Sequence, residues 1–171
     1  MRKRRLTTIL TILTLSAVAL PVAAVNAHER APGTCYSYLA DELAFGKKTN
    51  HARAAHDVPK LRLDPQLSYV ARTHTSDMVR KAELYHSPGT EITHRVTRWI
   101  TLGENIGVGP ADDVAGLQKA FMHSPDHKAN LLNPDYRYVG IGVVVADDTL
   151  WVTLDFEGAK NPGTTLRLPS C

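Results

Sequence analysis

Basic blocks, a second long apolar run and nucleophile motifs are all missing from this chain beyond its first 27 residues. After Arg2-Lys3-Arg4-Arg5 no cluster of basic side chains recurs. Residues 28–171 hold 16 Lys+Arg against 17 Asp+Glu, so nucleic-acid binding has no electrostatic footprint there. No apolar run after Val25 is long enough to cross a bilayer. There is no His-Glu-x-x-His helix, no Gly-x-Ser-x-Gly turn and no phosphate-cradling glycine loop. Cysteine is also scarce, with Cys35 and Cys171 the two present, one towards each end.

What is there begins with an address. The basic cluster precedes an apolar stretch from Leu6 to Val25, which ends in Pro21 and the small-residue run Val25-Asn26-Ala27. That is the layout of a secretory signal peptide. Residues 1–27 are expected to be cleaved and residues 28–171 to form one exported domain. An uncleaved anchor is the alternative, but the threonines and Pro21 favour cleavage. In an exported protein Cys35 and Cys171 read as a disulfide joining the ends, which argues against a cysteine nucleophile; two free thiols or a bridge to another chain are the alternatives.

Helices are expected first and a sheet last. Tyr36, Leu39, Ala40 and Leu43 fall at helical spacing, and the segment continues to Ala55, with Gly46 weakening its middle. Pro59 and the Leu61/Leu63 alternation mark an extended connector. Asp64-Pro65 reads as an N-cap with proline at the first helical position. Leu67, Val70, Ala71, His74 and Met78 form one stripe of the helix that follows. A short helix is expected from Ile92 to Ile100 and an extended stretch from Gly103 to Pro110. Asp112 is expected to cap a helix bearing Val114, Leu117 and Phe121. Tyr138–Ala146 and Thr149–Phe156 read as a β-hairpin around Asp147-Asp148. Gly140 and Gly142 in its first strand imply a close neighbour. The whole describes an α+β layered domain.

The chemistry lies at the joints. Ser124-Pro125-Asp126-His127 describes a helix start, and the positive end of that helix favours a neutral imidazole at His127, with one lone pair for a metal or a proton. Glu104, between Gly103 and Asn105, can anchor backbone N–H groups, pair with a histidine or act as a base. His86 stands before the turn Ser87-Pro88-Gly89. His123 and His127 straddle Pro125 and are not expected to share a face. His74, on the apolar stripe, reads as a satisfied core histidine. Each signal by itself is equally compatible with ordinary capping or solvation.

Taken in order, several pieces resemble the CAP/SCP superfamily, the cysteine-rich secretory, antigen 5 and pathogenesis-related 1 proteins, and in particular its bacterial branch. They are Asn50-x-x-Arg53, Leu61 to Leu67, Ala71 with Asp77-Met78, His86, Gly103-Glu104-Asn105-Ile106, Ser124-Pro125-x-His127-x-x-Asn130-Leu131-Leu132, Val139-Gly140-Ile141-Gly142-Val143 and Trp151 to Phe156. The resemblance covers about residues 36–157 and implies a three-layer α-β-α sandwich with a small antiparallel sheet. It also implies a cleft lined by His86, Glu104 and His127. The family's second acid, usually on the helix before the second histidine, has no counterpart in Leu117–Met122, where Phe121 stands in place of the usual tryptophan. His86 and His127 remain candidate ligands for a divalent metal such as zinc, with Glu104 orienting an imidazole. With an acid missing and no nucleophile, the expectation is a secreted monomer without catalytic residues that binds a lipid, a sterol or a component of the cell envelope. The alternatives are a metal-assisted hydrolase using His86, Glu104 and His127, or a structural envelope protein.

Overall fold

The computed structural model describes residues 36–89 and 99–159. The signal peptide, Cys35, Cys171 and the 92–98 part of the expected short helix lie outside them.

Helix α1 (Ala40–Ala55) starts later than the Tyr36 periodicity suggests. Residues 36–39 are extended, and Glu42 reaches back to the Leu39 N–H at 3.0 Å, satisfying a first-turn donor. Gly46 turns out to be a packing residue: a Cβ there would press on Leu63 and Ile141. Strand β1 (Arg62–Leu63) follows. Asp64 then caps α2 (Pro65–Lys81), accepting from the Leu67 N–H at 2.9 Å. Strand β2 (Trp99–Pro110) includes Ile100, which therefore belongs to a strand and not to the expected helix. Helix α3 (Val114–His123) is capped by Asp113, one residue beyond the expected Asp112, through Gly116 N–H at 2.7 Å. Helix α4 (Pro125–Leu132) begins on Ser124-Pro125 as expected, although the serine side chain makes no capping bond.

The hairpin β3 (Tyr138–Ala146) and β4 (Thr149–Ala159) turns on Asp147 and Asp148, at φ 48° and 56°. Positive φ at both central residues is the geometry of a type I′ turn, whose twist matches the strands it joins. The sheet order is β1-β3-β4-β2, with β1 parallel to β3 and the other pairs antiparallel.

Alternation divides the sheet into two faces. Val139, Ile141, Val143, Leu150, Val152, Leu154 and Phe156 pack with Phe45, Leu117, Phe121 and Leu131 of the three helices on one side. On the other side α2 lies directly on β3. A Cβ at Gly140 would overlap the Leu67–Ser68 backbone, and one at Gly142 the backbone of Ala71–Arg72. This is the close approach expected from the two glycines. The result is the α-β-α sandwich of an α+β domain.

Two polar devices hold the layers. Arg53 is fully buried, and its guanidinium donates to the carbonyls of Pro59, Leu131, Asn133 and Tyr136 at 2.7–3.4 Å. Beyond its short pairing with β1, the outer edge of β3 is closed by side chains. Ser68 Oγ accepts from Ile141 N–H, Glu42 from Val143 N–H, and the Tyr36 hydroxyl donates to the Ile141 carbonyl. Glu42 also pairs with Arg72 of α2, Nε to Oε1 at 2.7 Å, tying α1 to α2 around the edge of the sheet.

Candidate functional site

Three of the sequence candidates converge on the Glu104–Asn105 step of β2. Glu104 Oε1 accepts from the Ser87 N–H at 2.9 Å and meets His86 Nδ1 at 2.7 Å. The carboxylate is 9 % exposed, whereas the His86 side chain is 62 % exposed. An acidic acceptor at Nδ1 selects the tautomer with its proton there, which leaves Nε2 as a lone pair facing outwards.

His127 is reached through the next residue. Asn105, fully buried, donates to the His127 carbonyl at 2.9 Å. Asn130, one turn along α4, donates to the Glu104 carbonyl at 3.1 Å and to Asn105 Oδ1 at 2.9 Å. The His127 ring lies 4.9 Å from that of Phe121. Burial pushes the His127 pKa down, and His86 adds to the shift against a smaller opposing effect of Asp126. The neutral imidazole anticipated at this helix start therefore has a second cause, desolvation against Phe121. Asn105 and Asn130 were part of the resemblance, but their role in fastening α4 to β2 depends on contacts 25 residues apart and has no local signal.

His74 is indeed a satisfied core histidine, bonded to the Tyr85 carbonyl at 2.7 Å. His123 ends α3, bonds to the Lys119 carbonyl and stands apart from His127.

Asp155 is the residue that sequence reading missed. It pairs in register with Glu104 across β2 and β4, and with Gly140 across β3. It is fully buried, and neither its carboxyl oxygens nor Glu104 Oε2 has a hydrogen-bond partner other than the facing carboxyl. Burial, followed by the neighbouring Glu104, raises its pKa well above the usual carboxylate range. The available signal was the alternation of Thr153, Asp155 and Glu157 with the apolar Val152, Leu154 and Phe156 along β4. Among the described residues no group of three or more His, Cys, Asp and Glu is arranged to hold a metal.

Two concavities flank these elements. A cavity of about 370 Å³ opens beside Glu104, with Ser87, Trp99, Ile100 and Thr101 in its walls. A larger groove of about 1010 Å³ runs between α1 and α3. Ala44, Ala115 and Met122 contribute apolar wall, and Lys47, Lys48, Lys60 and Lys119 provide cations; none of its lining residues is acidic.

Comparison with known proteins places this architecture. The family model described as the cysteine-rich secretory protein family, CAP, matches residues 47–156. An uncharacterized Bacillus subtilis protein, YkwD, is 30% identical over 139 residues, which are 78% of this chain and 52% of that protein. The chain thus spans about half the length of that relative. An extracellular Bacillus anthracis protein containing an SCP domain is 31% identical, with a TM-score of 0.59 over 69% of this chain and 40% of that one. An outer surface protein of Borrelia burgdorferi is 18% identical with a TM-score of 0.65, covering 75% of this chain and 99% of that one, a likeness of fold.

Proposed function

The chain belongs to the cysteine-rich secretory protein (CAP) family, and from that premise we propose that it is a secreted, non-enzymatic binding protein. Its ligand is an anionic amphiphile of the cell envelope, seated in the groove between α1 and α3. The observation that carries this reading is the groove's lining, which sets four lysines around small apolar side chains with no acid among them. A headgroup of negative charge meets the cations, and an acyl chain meets the alanines and Met122. Export is supported by the signal-like segment at residues 1–27 and by the extracellular Bacillus anthracis relative.

Of the His86–Glu104–His127 cluster, Glu104 lines the second cavity, and the cluster is read as a polar element beside it. Glu104 Oε1 is committed to Ser87 and His86, so the carboxylate is poorly placed to take a proton from a substrate. The competing hydrolase reading keeps one supporting observation: a His127 with lowered pKa beside His86 leaves two imidazoles able to accept a proton or a metal.

Binding to vesicles of phosphatidylglycerol and of phosphatidylcholine tests the proposal, with native mass spectrometry of the exported protein as a second readout. Retained anionic lipid, preference for phosphatidylglycerol, and a loss of at least about tenfold in Lys47→Glu/Lys119→Glu are expected. Equal affinity for both vesicles, or none for either, overturns it. Turnover of an ester or peptide that disappears in His127→Ala also overturns it, in favour of the hydrolase.

A further inference from the structure

We infer that Asp155 is a positioning residue for the cleft. Its carboxyl is held neutral and donates its proton to Glu104 Oε2, which fixes Glu104 and, through it, the ring and tautomer of His86. This goes beyond ligand binding in the α1–α3 groove and does not depend on it.

The geometry leaves little choice. Asp155 and Glu104 stand directly opposite each other on neighbouring antiparallel strands, where side chains of one face approach closely. Both are buried, at 0 % for Asp155 and 9 % for the Glu104 side chain. The groups that face Asp155 offer it neither a donor nor a counter-charge. Its other strand partner is Gly140, which has no side chain and is covered by the Leu67–Ser68 backbone. Thr153, next on the same face of β4, is hydrogen-bonded to the Thr75 hydroxyl at 2.9 Å, and the Thr75 oxygen also lies within hydrogen-bond reach of the Gly142 carbonyl. Two carboxylates facing each other out of water cannot both remain ionised, and one proton shared between them removes the conflict.

The proton belongs on Asp155 because the donors belong to Glu104. Glu104 Oε1 already receives the Ser87 N–H and the His86 Nδ1–H, which stabilise a negative charge there. Its other oxygen, Oε2, is buried with no partner other than the facing carboxyl. An Asp155 O–H aimed at Oε2 gives that oxygen its missing donor and completes a chain Asp155–Glu104–His86. The burial-driven rise of the Asp155 pKa points the same way. The far end of the chain is the outward Nε2 lone pair of an exposed imidazole. A carboxyl with no access to solvent thereby sets which nitrogen of a surface histidine can accept a hydrogen bond from a ligand.

Infrared spectroscopy and side-chain ¹⁵N NMR at pH 7 read the two halves of this chain in the intact exported protein. The wild type should show a protonated-carboxyl stretch that Asp155→Asn removes. Glu157→Gln should leave that band in place, which separates it from the Glu157 acid, whose own pKa burial raises to about 7. The His86 resonances should have the pattern of the Nδ1–H tautomer. Asp155→Asn should keep that pattern, because its amide N–H replaces the acid O–H as donor to Oε2. Asp155→Leu should lose it, giving a mixture of tautomers at His86 while His74 stays unchanged. Absence of the Asp155-dependent band, or a His86 pattern that Asp155→Asn alters, overturns the inference. So does retention of the wild-type pattern in a folded Asp155→Leu. Should that variant not fold, the infrared band and Asp155→Asn still decide.

Discussion

Glu157 is a second acid buried beneath α2, and it behaves differently from Asp155. Its oxygens have no partner, and burial, with Asp64 adding to it, raises its pKa from 4.5 to about 7. The folded protein therefore keeps a proton that the unfolded chain has already released between these two values. Stability falls as pH rises through that window, because the native state binds more protons. Glu157→Gln should flatten this dependence. Urea denaturation should show it matching the wild type near pH 4.5 and exceeding it by about 1–3 kcal/mol at pH 8. At this scale legibility was uneven. His86, Glu104 and His127 stood at turns and caps that by themselves say little, and the family resemblance was what brought them together; His74 was legible from its apolar stripe. Asp155 and Glu157 were not, because an acid in a strand reads as solvent-facing until a helix is known to cover that face.

At the level of elements, residues with one permitted conformation were the most readable. Asp64-Pro65 and Ser124-Pro125 placed two helix starts correctly, since proline at the first helical turn loses no hydrogen bond. The hairpin followed from two β-branched runs around a polar pair. Its Asp147-Asp148 turn is not the best for the job, as both residues hold positive φ, which favours asparagine and glycine. Asp147→Asn/Asp148→Gly should therefore stabilise the protein by about 0.5–1 kcal/mol, seen as a higher midpoint of thermal unfolding with unchanged far-ultraviolet dichroism. What could not be read was the start of α1. The Tyr36 periodicity continues the helical pattern, but its hydroxyl is used at the edge of β3, and that requires an extended chain up to Leu39. Tertiary hydrogen bonding outweighed local propensity there.

Taken as a whole, the described sheet carries helices on both of its faces. Among the described residues, α2 presses on the glycines of β3 from one face, while α1, α3 and α4 and most of the apolar core occupy the other. Helices followed by a hairpin anticipated an α+β layered domain, and the three-layer sandwich was implied by the family resemblance that the ordered motifs carry. The position of the lysine groove was not readable, since it is made by bringing residues 44–60 against residues 115–122.

The guanidinium of Arg53 joins parts of the chain that are far apart, with partners up to 83 residues away. Contacts of that separation require large loops to close first. Its three long-range carbonyl bonds, to Leu131, Asn133 and Tyr136, are therefore expected to form after the rate-limiting step of folding, and to resist the reverse journey. Arg53→Met should cost about 3 kcal/mol. In a stopped-flow chevron that loss should fall on the unfolding limb, with the refolding rate almost unchanged. In the exported setting proposed above, this one side chain would act as a latch on lifetime, setting how long each molecule survives once folded.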